Sequence, residues 1–147
     1  MTEEVLVSLR SVQVVSGEKS EPIEMVSNGS YKRLSSEKQV VQYEEVDEED
    51  QEITKVTLVF APGHVEIMKN GQSNVQLIFD KEEKTTSCYQ TPYGELMVGI
   101  NTTAMNIHET DSAIEIAMEY DLDMNYSHVA ACNICVRIVS KETEEEL

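Results

Sequence analysis

The chain has 147 residues, 40% of them hydrophobic and 27% charged, which are the size and composition of one globular domain. Its formal net charge is -17, from 28 acidic and 11 basic residues, and only three of the basic residues are arginines. Such a surface repels phosphate groups, which argues against nucleic-acid binding by counterion release and against binding to anionic membranes.

The N-terminal residues and the cysteines predict a reducing compartment. Residues 1–4 are acidic and lead directly into a strand pattern, without the basic and apolar regions of a secretory signal. No apolar stretch approaches the ~20 residues of a transmembrane helix. Cys88, Cys132 and Cys135 cannot all pair within one chain. We therefore expect a cytoplasmic protein that folds without disulfides, metals or cofactors.

Alternation of apolar and polar residues with period two dominates the sequence and predicts an all-β protein. The predicted strands, in chain order, span residues 5–15, 23–31, 38–45, 53–61, 64–69, 75–79, 85–90, 95–106, 113–125 and 128–139. Their connections are short, and a meander of about ten strands leaves two exposed edges unless the sheet closes. We predict one domain over residues 1–147, an antiparallel up-and-down β-barrel with its first and last strands as neighbours.

Three predicted strands carry patterns that a structure can test. In the first, the apolar positions change faces after Leu9, so we expect a bulge or bend near residues 10–11. In the strand at 95–106, Ala104 is expected on the apolar face. The clearest alternation is that of 113–125, whose apolar face comprises Ile114, Ile116, Met118, Tyr120, Leu122 and Met124.

Two segments are acidic enough to be solvated. Residues 44–52 carry seven carboxylates in nine positions, and a helix there would stack like charges. The segment lacks the glycine and the alternating ligands of an EF-hand, so we expect weak Ca²⁺ binding or none. The tail, 141–147, is also acidic and is expected to fray.

Four short motifs together resemble a known family. They are VLVSLRS at 5–11, YEE at 43–45 ahead of the acidic segment, TPYG at 91–94 and YDL at 120–122. In this order and spacing the chain resembles, over nearly its whole length, the bacterial YwiB-like family of small proteins of unknown function. The resemblance implies a calycin (lipocalin-like) barrel and no particular reaction, since fold alone does not give function.

Barrels of this kind often enclose a cavity for one small apolar ligand. Met and Tyr side chains suit such a lining, because they are adaptable and amphipathic. The candidate lining residues are Met118, Tyr120, Leu122 and Met124; the alternative is that they simply fill the core. Tyr93 is a candidate at the barrel mouth, although residues 91–94 are in the first place a turn.

Arg10 and Arg137 are the candidates for binding a charged group. They lie on the predicted first and last strands, which closure brings side by side. Two guanidiniums near the lumen would hold a carboxylate bidentately. The alternative is that both face solvent or pair with surface Asp and Glu.

The cysteine and histidine spacings give no metal or catalytic site. Cys132 and Cys135 form a C-x-x-C, but residues three apart on a strand point to opposite faces and cannot share a metal. The three histidines are isolated, and no nucleophile motif or phosphate loop is present.

Three classes of function remain, in this order. The first is a binding module for a small apolar or carboxylate-bearing ligand. The second is an interaction protein whose acidic surface docks a basic partner. An enzyme is third, because no catalytic constellation stands out.

Overall fold

The computed structural model describes residues 1–46, 49 and 51–141, and all the regular elements among these are strands. They are β1 (Glu4–Val15), β2 (Glu18–Lys19), β3 (Ile23–Arg33), β4 (Gln39–Val46), β5 (Ile53–Ala61), β6 (His64–Asn70), β7 (Asn74–Asp80), β8 (Thr85–Thr91), β9 (Gly94–Glu109), β10 (Ala113–Met124) and β11 (Ser127–Ser140). Part of the acidic segment and the tail beyond residue 141 lie outside the described residues. The described residues include no helix with the length and apolarity needed to cross a membrane.

The strands form one antiparallel sheet that closes on itself. From β3 to β11 each strand pairs with the next, β1 pairs with β3, and β1 also pairs with β11 from Val5–Ser140 to Val14–Ala131. Strand β2, in a segment that we predicted as loop, pairs only with the end of β1 and lies outside the ring. The predicted closed antiparallel barrel is confirmed, with ten strands in the ring and one short outer strand.

Because neighbouring strands are antiparallel, successive connections lie alternately at the two ends of the barrel. One end, here called the upper end, carries the connections at 34–38, 62–63, 81–84 and 110–112. The other, the lower end, carries the connections at 16–22, 47–52, 71–73, 92–93 and 125–126.

Aliphatic side chains from the inner faces of the strands fill the middle of the barrel. The fully buried ones include Val5, Val7, Val41, Val56, Leu58, Val65, Ile100, Ile114, Ile116 and Ile138, with Phe60 and Phe79 as the largest. The predicted inward face of β10 is confirmed, since Ile114, Ile116 and Met118 belong to this cluster and the apolar residues after them pack against it.

The expected bulge in β1 is wrong. The register between β1 and β11 runs without a shift from Val5 to Val14, so alternation continues through residues 10–11. Ser11 lies opposite the buried Ile134, on the inner face, while Val12 lies opposite the exposed Asn133, on the outer face. Polar inner positions are tolerated here because this half of β1 approaches the lower end.

The expected inward position of Ala104 is also wrong, and a β-bulge is the reason. The register between β9 and β10 shifts between Glu119 and Tyr120, leaving Thr103 without a partner. Thr102 is therefore the buried, inward residue, and Ala104 is exposed. A bulge inserts one residue and so reverses the faces beyond it.

The barrel wall is loosely paired at one seam. Strand β8 pairs with β7 only through two residue pairs, Asn74–Gln90 and Val75–Tyr89. It pairs with β9 only as far as Ile100, so that within the described strands the upper half of β9 pairs with β10 alone. The upper parts of β7 and β9 thus flank a seam that few backbone hydrogen bonds hold.

Candidate functional site

The predicted lining residues of β10 share the inner face of the barrel, where they belong to the core cluster or pack against it. Met118 is 2% exposed and is a core residue. The ring of Tyr120 packs edge-on against Phe79, with centroids 4.8 Å apart, and its hydroxyl lies near the thiol of Cys132. Burial raises the pKa of both of these groups above their ordinary values. Leu122 and Met124 follow towards the lower end, half-buried.

Tyr93 lies at the lower end, at the tip of the turn between β8 and β9, where it is almost fully exposed. Thr91 sets this turn, since its hydroxyl donates to the Gly94 carbonyl oxygen and accepts from the Tyr93 amide. Gly94 has φ +132°, which favours glycine. The motif at 91–94 therefore forms the turn that its sequence indicates.

The expectation that Arg10 and Arg137 hold a ligand inside the barrel is wrong, because both face outward. They do lie on paired strands, as predicted. However, Arg10 lies 3.2 Å from Glu24 and Arg137 lies 3.4 Å from Glu115, and both guanidinium side chains are more than half exposed. Side chains alternate between the two faces of a strand. Leu9 and Val136, which precede Arg10 and Arg137 in the chain, point inward, so both arginines point outward.

The two cysteines of the C-x-x-C lie on opposite faces of β11, as the strand geometry predicts. Cys132 is buried and Cys135 is exposed. In the part of the chain that the structure describes, no group of three or more His, Cys, Asp or Glu side chains is placed to hold a metal ion.

A cavity of about 330 Å³ opens at the upper end of the barrel, here called the mouth cavity. Its volume lies within the range of small-molecule sites, about 300–1,000 Å³. Its apolar wall includes Phe60, Met105 and Ile107. The charged residues of its rim are Arg33, Glu37, Lys81 and Glu109. The loosely paired seam between β7 and β9 reaches the barrel end beside this cavity.

A chain of hydrogen bonds organises the polar side of the mouth cavity. The Tyr31 hydroxyl donates to Gln39 Oε1 at 2.5 Å, and Gln39 Nε2 donates to Glu109 Oε1 at 3.1 Å. Arg33 Nη2 approaches the same carboxylate oxygen at 3.5 Å, while its Nη1 donates to the Ser36 carbonyl oxygen at 2.8 Å. Gln39 is buried with its amide satisfied, so it holds Glu109 in place independently of Arg33.

Below the mouth cavity, the hydroxyl of Thr102 is buried without a hydrogen-bond partner among the described residues. On the inner face of β9, Thr102 is the next residue after Met105, because Thr103 forms the bulge. An unpaired buried hydroxyl costs about 1–3 kcal/mol. The interior therefore contains one polar atom that a hydrogen-bonding group would satisfy.

The residues of the mouth cavity were not predicted from the sequence. One signal was available for Gln39, which shares the inward face of its strand with Val41 and Tyr43 and is thus a polar residue at an inward position. No such signal marks Arg33 or Glu109, since both lie at strand ends, where alternation no longer reports the inner face.

Comparisons with known proteins bear on the whole chain rather than on this site. The chain resembles the crystal structure of ywiB protein from Bacillus subtilis with a TM-score of 0.79 and 22% sequence identity, covering 94% of this chain and 92% of that one. Such identity supports the fold alone. No curated protein matches the sequence.

The sequence itself matches a protein family over most of its length. The profile of the family described as Domain of unknown function (DUF1934) aligns with residues 7–136. With the structural likeness, this match bears out the resemblance to YwiB-like proteins that the four motifs indicated. The chain therefore belongs to the DUF1934 family, the YwiB-like β-barrel proteins of unknown function.

Proposed function

We propose that this protein binds a small amphipathic anion, such as a medium-chain carboxylate, in the mouth cavity. The observation that carries the proposal is the combination of an apolar wall with a guanidinium at its rim. Such a cavity accepts an acyl chain against Phe60, Met105 and Ile107 while a carboxylate stays near Arg33. Apolar sites with few placed polar groups are the usual form of a small-molecule site.

The cations of the rim support an anionic ligand. Arg33 and Lys81 border this opening together with the carboxylates of Glu37 and Glu109, in a chain whose net charge is -17. Arg33 is nearly half exposed, and its 3.5 Å approach to Glu109 is at the long limit of a hydrogen bond. Because Gln39 also donates to Glu109, the guanidinium can turn to a ligand carboxylate without leaving Glu109 unpaired.

The seam in the wall supports entry of a ligand at this end. Separating the upper parts of β7 and β9 breaks few backbone hydrogen bonds, because β8 does not reach between them. Weakly paired segments are the ones that open locally in folded proteins. If a ligand is longer than the depth of the cavity, the rest of it can therefore lie between β7 and β9.

Octanoate and octanol, titrated in parallel, test this proposal by calorimetry and by amide chemical shifts. We expect octanoate to bind more tightly than octanol and to shift the amides of Ala61 and Ile107. Arg33→Gln should weaken octanoate binding about tenfold, which is ~1.4 kcal/mol, and leave octanol binding as it is. Ile107→Trp, which fills the cavity, should abolish the binding of both.

Arg10→Gln is the matched control, because Arg10 has a similar ion pair on the outer wall. It should bind octanoate as the native protein does. If Arg10→Gln and Arg33→Gln weakened octanoate binding equally, the loss would be explained by overall charge and not by a contact in the mouth cavity. An absence of octanoate-induced shifts around the mouth cavity would overturn the proposal.

A further inference from the structure

We infer that the mouth cavity takes the C-terminal end of an extended peptide, which pairs as an added strand with the free edge of β9. The inference rests on the proposed function and names the class of ligand, since the carboxylate near Arg33 is then that of a peptide. The observation that carries it is a row of backbone groups on β9, beside the cavity, with which no described residue pairs.

The turn between β9 and β10 shows which backbone groups of β9 are paired. There the Thr110 amide donates to the Ala113 carbonyl oxygen at 2.8 Å, so these two residues form a hydrogen-bonded pair. Hydrogen-bonded and non-hydrogen-bonded pairs alternate along an antiparallel ladder. Residues 104–109 continue this ladder without a shift of register, so the even-numbered ones bond to β10 and the odd-numbered ones do not.

Met105, Ile107 and Glu109 consequently direct their N–H and C=O groups to the other edge of β9. Strand β8 pairs with β9 only as far as Ile100, and no described residue forms a backbone hydrogen bond with these three on that side. The free edge is ~17 Å long at ~3.4 Å per residue. Edge strands are often protected by Lys or Pro, and residues 101–109 include neither. This edge is therefore open to pairing with another backbone.

The same three residues line the mouth cavity, so the free edge and the cavity form one site. A chain extended along the edge directs alternate side chains into the barrel, where Phe60 and the side chains of Met105 and Ile107 offer apolar contact. The inward side chain of the peptide should therefore be apolar, such as Leu or Val. An acyl chain would leave the edge groups of β9 to water, whereas a peptide backbone pairs with them. In this mode of recognition main-chain hydrogen bonds supply affinity and the side-chain pocket supplies specificity.

The charges of the rim place the end of the peptide. Arg33 and Lys81 are the cations of the cavity, and Glu37 and Glu109 are its carboxylates. Glu109 already accepts a hydrogen bond from Gln39 at 3.1 Å, and the Arg33 side chain is nearly half exposed. The guanidinium is thus available to a terminal carboxylate, which it can bind bidentately. A second copy of this chain fits less well, because two molecules of net charge -17 repel each other.

The probe is the N-acetylated pentapeptide Thr-Val-Thr-Val-Leu with a free carboxylate, added to the native protein and followed by amide hydrogen exchange and calorimetry. In the free protein we expect slow exchange at Asn106 and His108, which are paired with β10, and rapid exchange at Ile107 and Glu109. The peptide should slow exchange at Ile107 and Glu109 at least about tenfold. Octanoate, which has no backbone, should leave these two amides in rapid exchange.

Two peptides, each N-methylated at one of two consecutive residues, are the matched controls. Successive N–H groups of an extended chain point to opposite sides, so only one of the two methyl groups faces β9. One of these peptides should bind like the parent and the other at least about tenfold more weakly. The C-terminal amide of the parent should also bind about tenfold more weakly, and Arg33→Gln should remove the difference between acid and amide.

Octanoate binding without protection of Ile107 and Glu109 by the peptide would overturn the inference and leave the proposed function standing. Equal affinities of the two methylated peptides would overturn it as well, because binding would then not depend on an added strand. Slow exchange of Ile107 and Glu109 in the free protein would show that the edge is already paired. If this slow exchange appeared only at high protein concentration, the edge would belong to a second copy of the chain. Failure of both octanoate and the peptide to perturb the mouth cavity would overturn both proposals.

Discussion

Ile116 shows how much a single inward side chain contributes to this barrel. It has no exposed surface and belongs to the central cluster. Ile116→Ala should lower the free energy of unfolding by about 2–5 kcal/mol, because it removes apolar contacts and leaves a cavity. The control is Val26→Ala on the outer face of β3, where 67% exposure should limit the change to within about 1 kcal/mol. Urea unfolding measures both, and similar losses in the two would contradict the assigned faces.

A substitution at the buried residue Thr102 is expected to change stability in the opposite direction. Its buried hydroxyl has no hydrogen-bond partner among the described residues, so Thr102→Val keeps the shape and removes the desolvation cost. We expect the free energy of unfolding to rise by about 1 kcal/mol. Thr103→Val, at the exposed bulge position, should not give this gain, because the Thr103 hydroxyl donates to the Glu119 carbonyl oxygen. A destabilised Thr102→Val variant would mean that the hydroxyl is hydrogen-bonded in solution.

Asp123 couples stability to pH. The hydrogen bond from Lys84 holds the pKa of its carboxyl below the ordinary value, although partial desolvation opposes this. A lowered folded-state pKa contributes stability that is present above the unfolded-state value of ~3.9 and is lost as the pH falls through the folded-state value. Asp123→Asn should therefore be less stable than the native protein at neutral pH, and the difference should shrink in acid.

Urea unfolding at neutral pH and below pH ~3.9 measures this effect of Asp123. Lys84→Met removes the donor of this hydrogen bond instead of the acceptor. It should reduce the contribution of Asp123 to the pH dependence of stability. An unchanged loss of stability in acid for both variants would show that other carboxylates dominate it.

At the scale of the strands, β3 depends on one glycine. A Cβ at Gly29 would lie 2.9 Å from the Gln42 carbonyl oxygen and 3.0 Å from a methyl group of Val7. Since the first of these neighbours is backbone, Gly29→Ala should separate β3 from β4 and cost about 1–3 kcal/mol. Ser30→Ala, at the next and exposed position, is the control. Thermal unfolding tests the pair, and a native-like midpoint for Gly29→Ala would disprove the close approach.

The strands also show where sequence patterns stop being informative. In β10 every second residue is apolar and the rest are polar or small, so its faces were predicted correctly. In β1 the apolar residues change faces while the backbone does not, because near the open lower end the inner face accepts Ser11 and leaves Gln13 exposed. In β9 the apolar residues change faces together with the backbone, from Val98 and Ile100 before the bulge to Met105 and Ile107 after it. A face change in the sequence therefore marks a bulge in β9 and none in β1.

At the scale of the whole molecule, the closed barrel was predictable and the mouth cavity was not. Closure follows from many short alternating strands and the absence of a crossover segment. The cavity lies where the ends of β3, β4, β5 and β9 come together, above the point where the pairing of β8 with β9 ends at Ile100. No local pattern reports either fact, so the sequence predicted Arg10 and Arg137 beside the lumen and did not predict Arg33 at the mouth cavity.

Net charge is a property of the whole molecule, and it predicts how salt affects stability. With 28 acidic and 11 basic residues, the compact state repels itself. Screening has a range of about 30 Å at 0.01 M ionic strength and about 8 Å at 0.15 M. The thermal midpoint should therefore rise between these two concentrations of sodium chloride. A midpoint that falls would mean that attractive ion pairs outweigh the repulsion.

The pairing of β1 with β11 also determines how this molecule reaches its native state. The other pairings of the ring join strands that are close together along the chain, whereas Val5 meets Ser140. Because this contact joins the two ends of the chain, its loop-closure cost is the largest in the ring, and we expect closure to be a late and slow event of folding. Until then the edges of β1 and β11 remain open to strands of other chains. Refolding at high concentration should therefore lose material to aggregation chiefly before the ring closes.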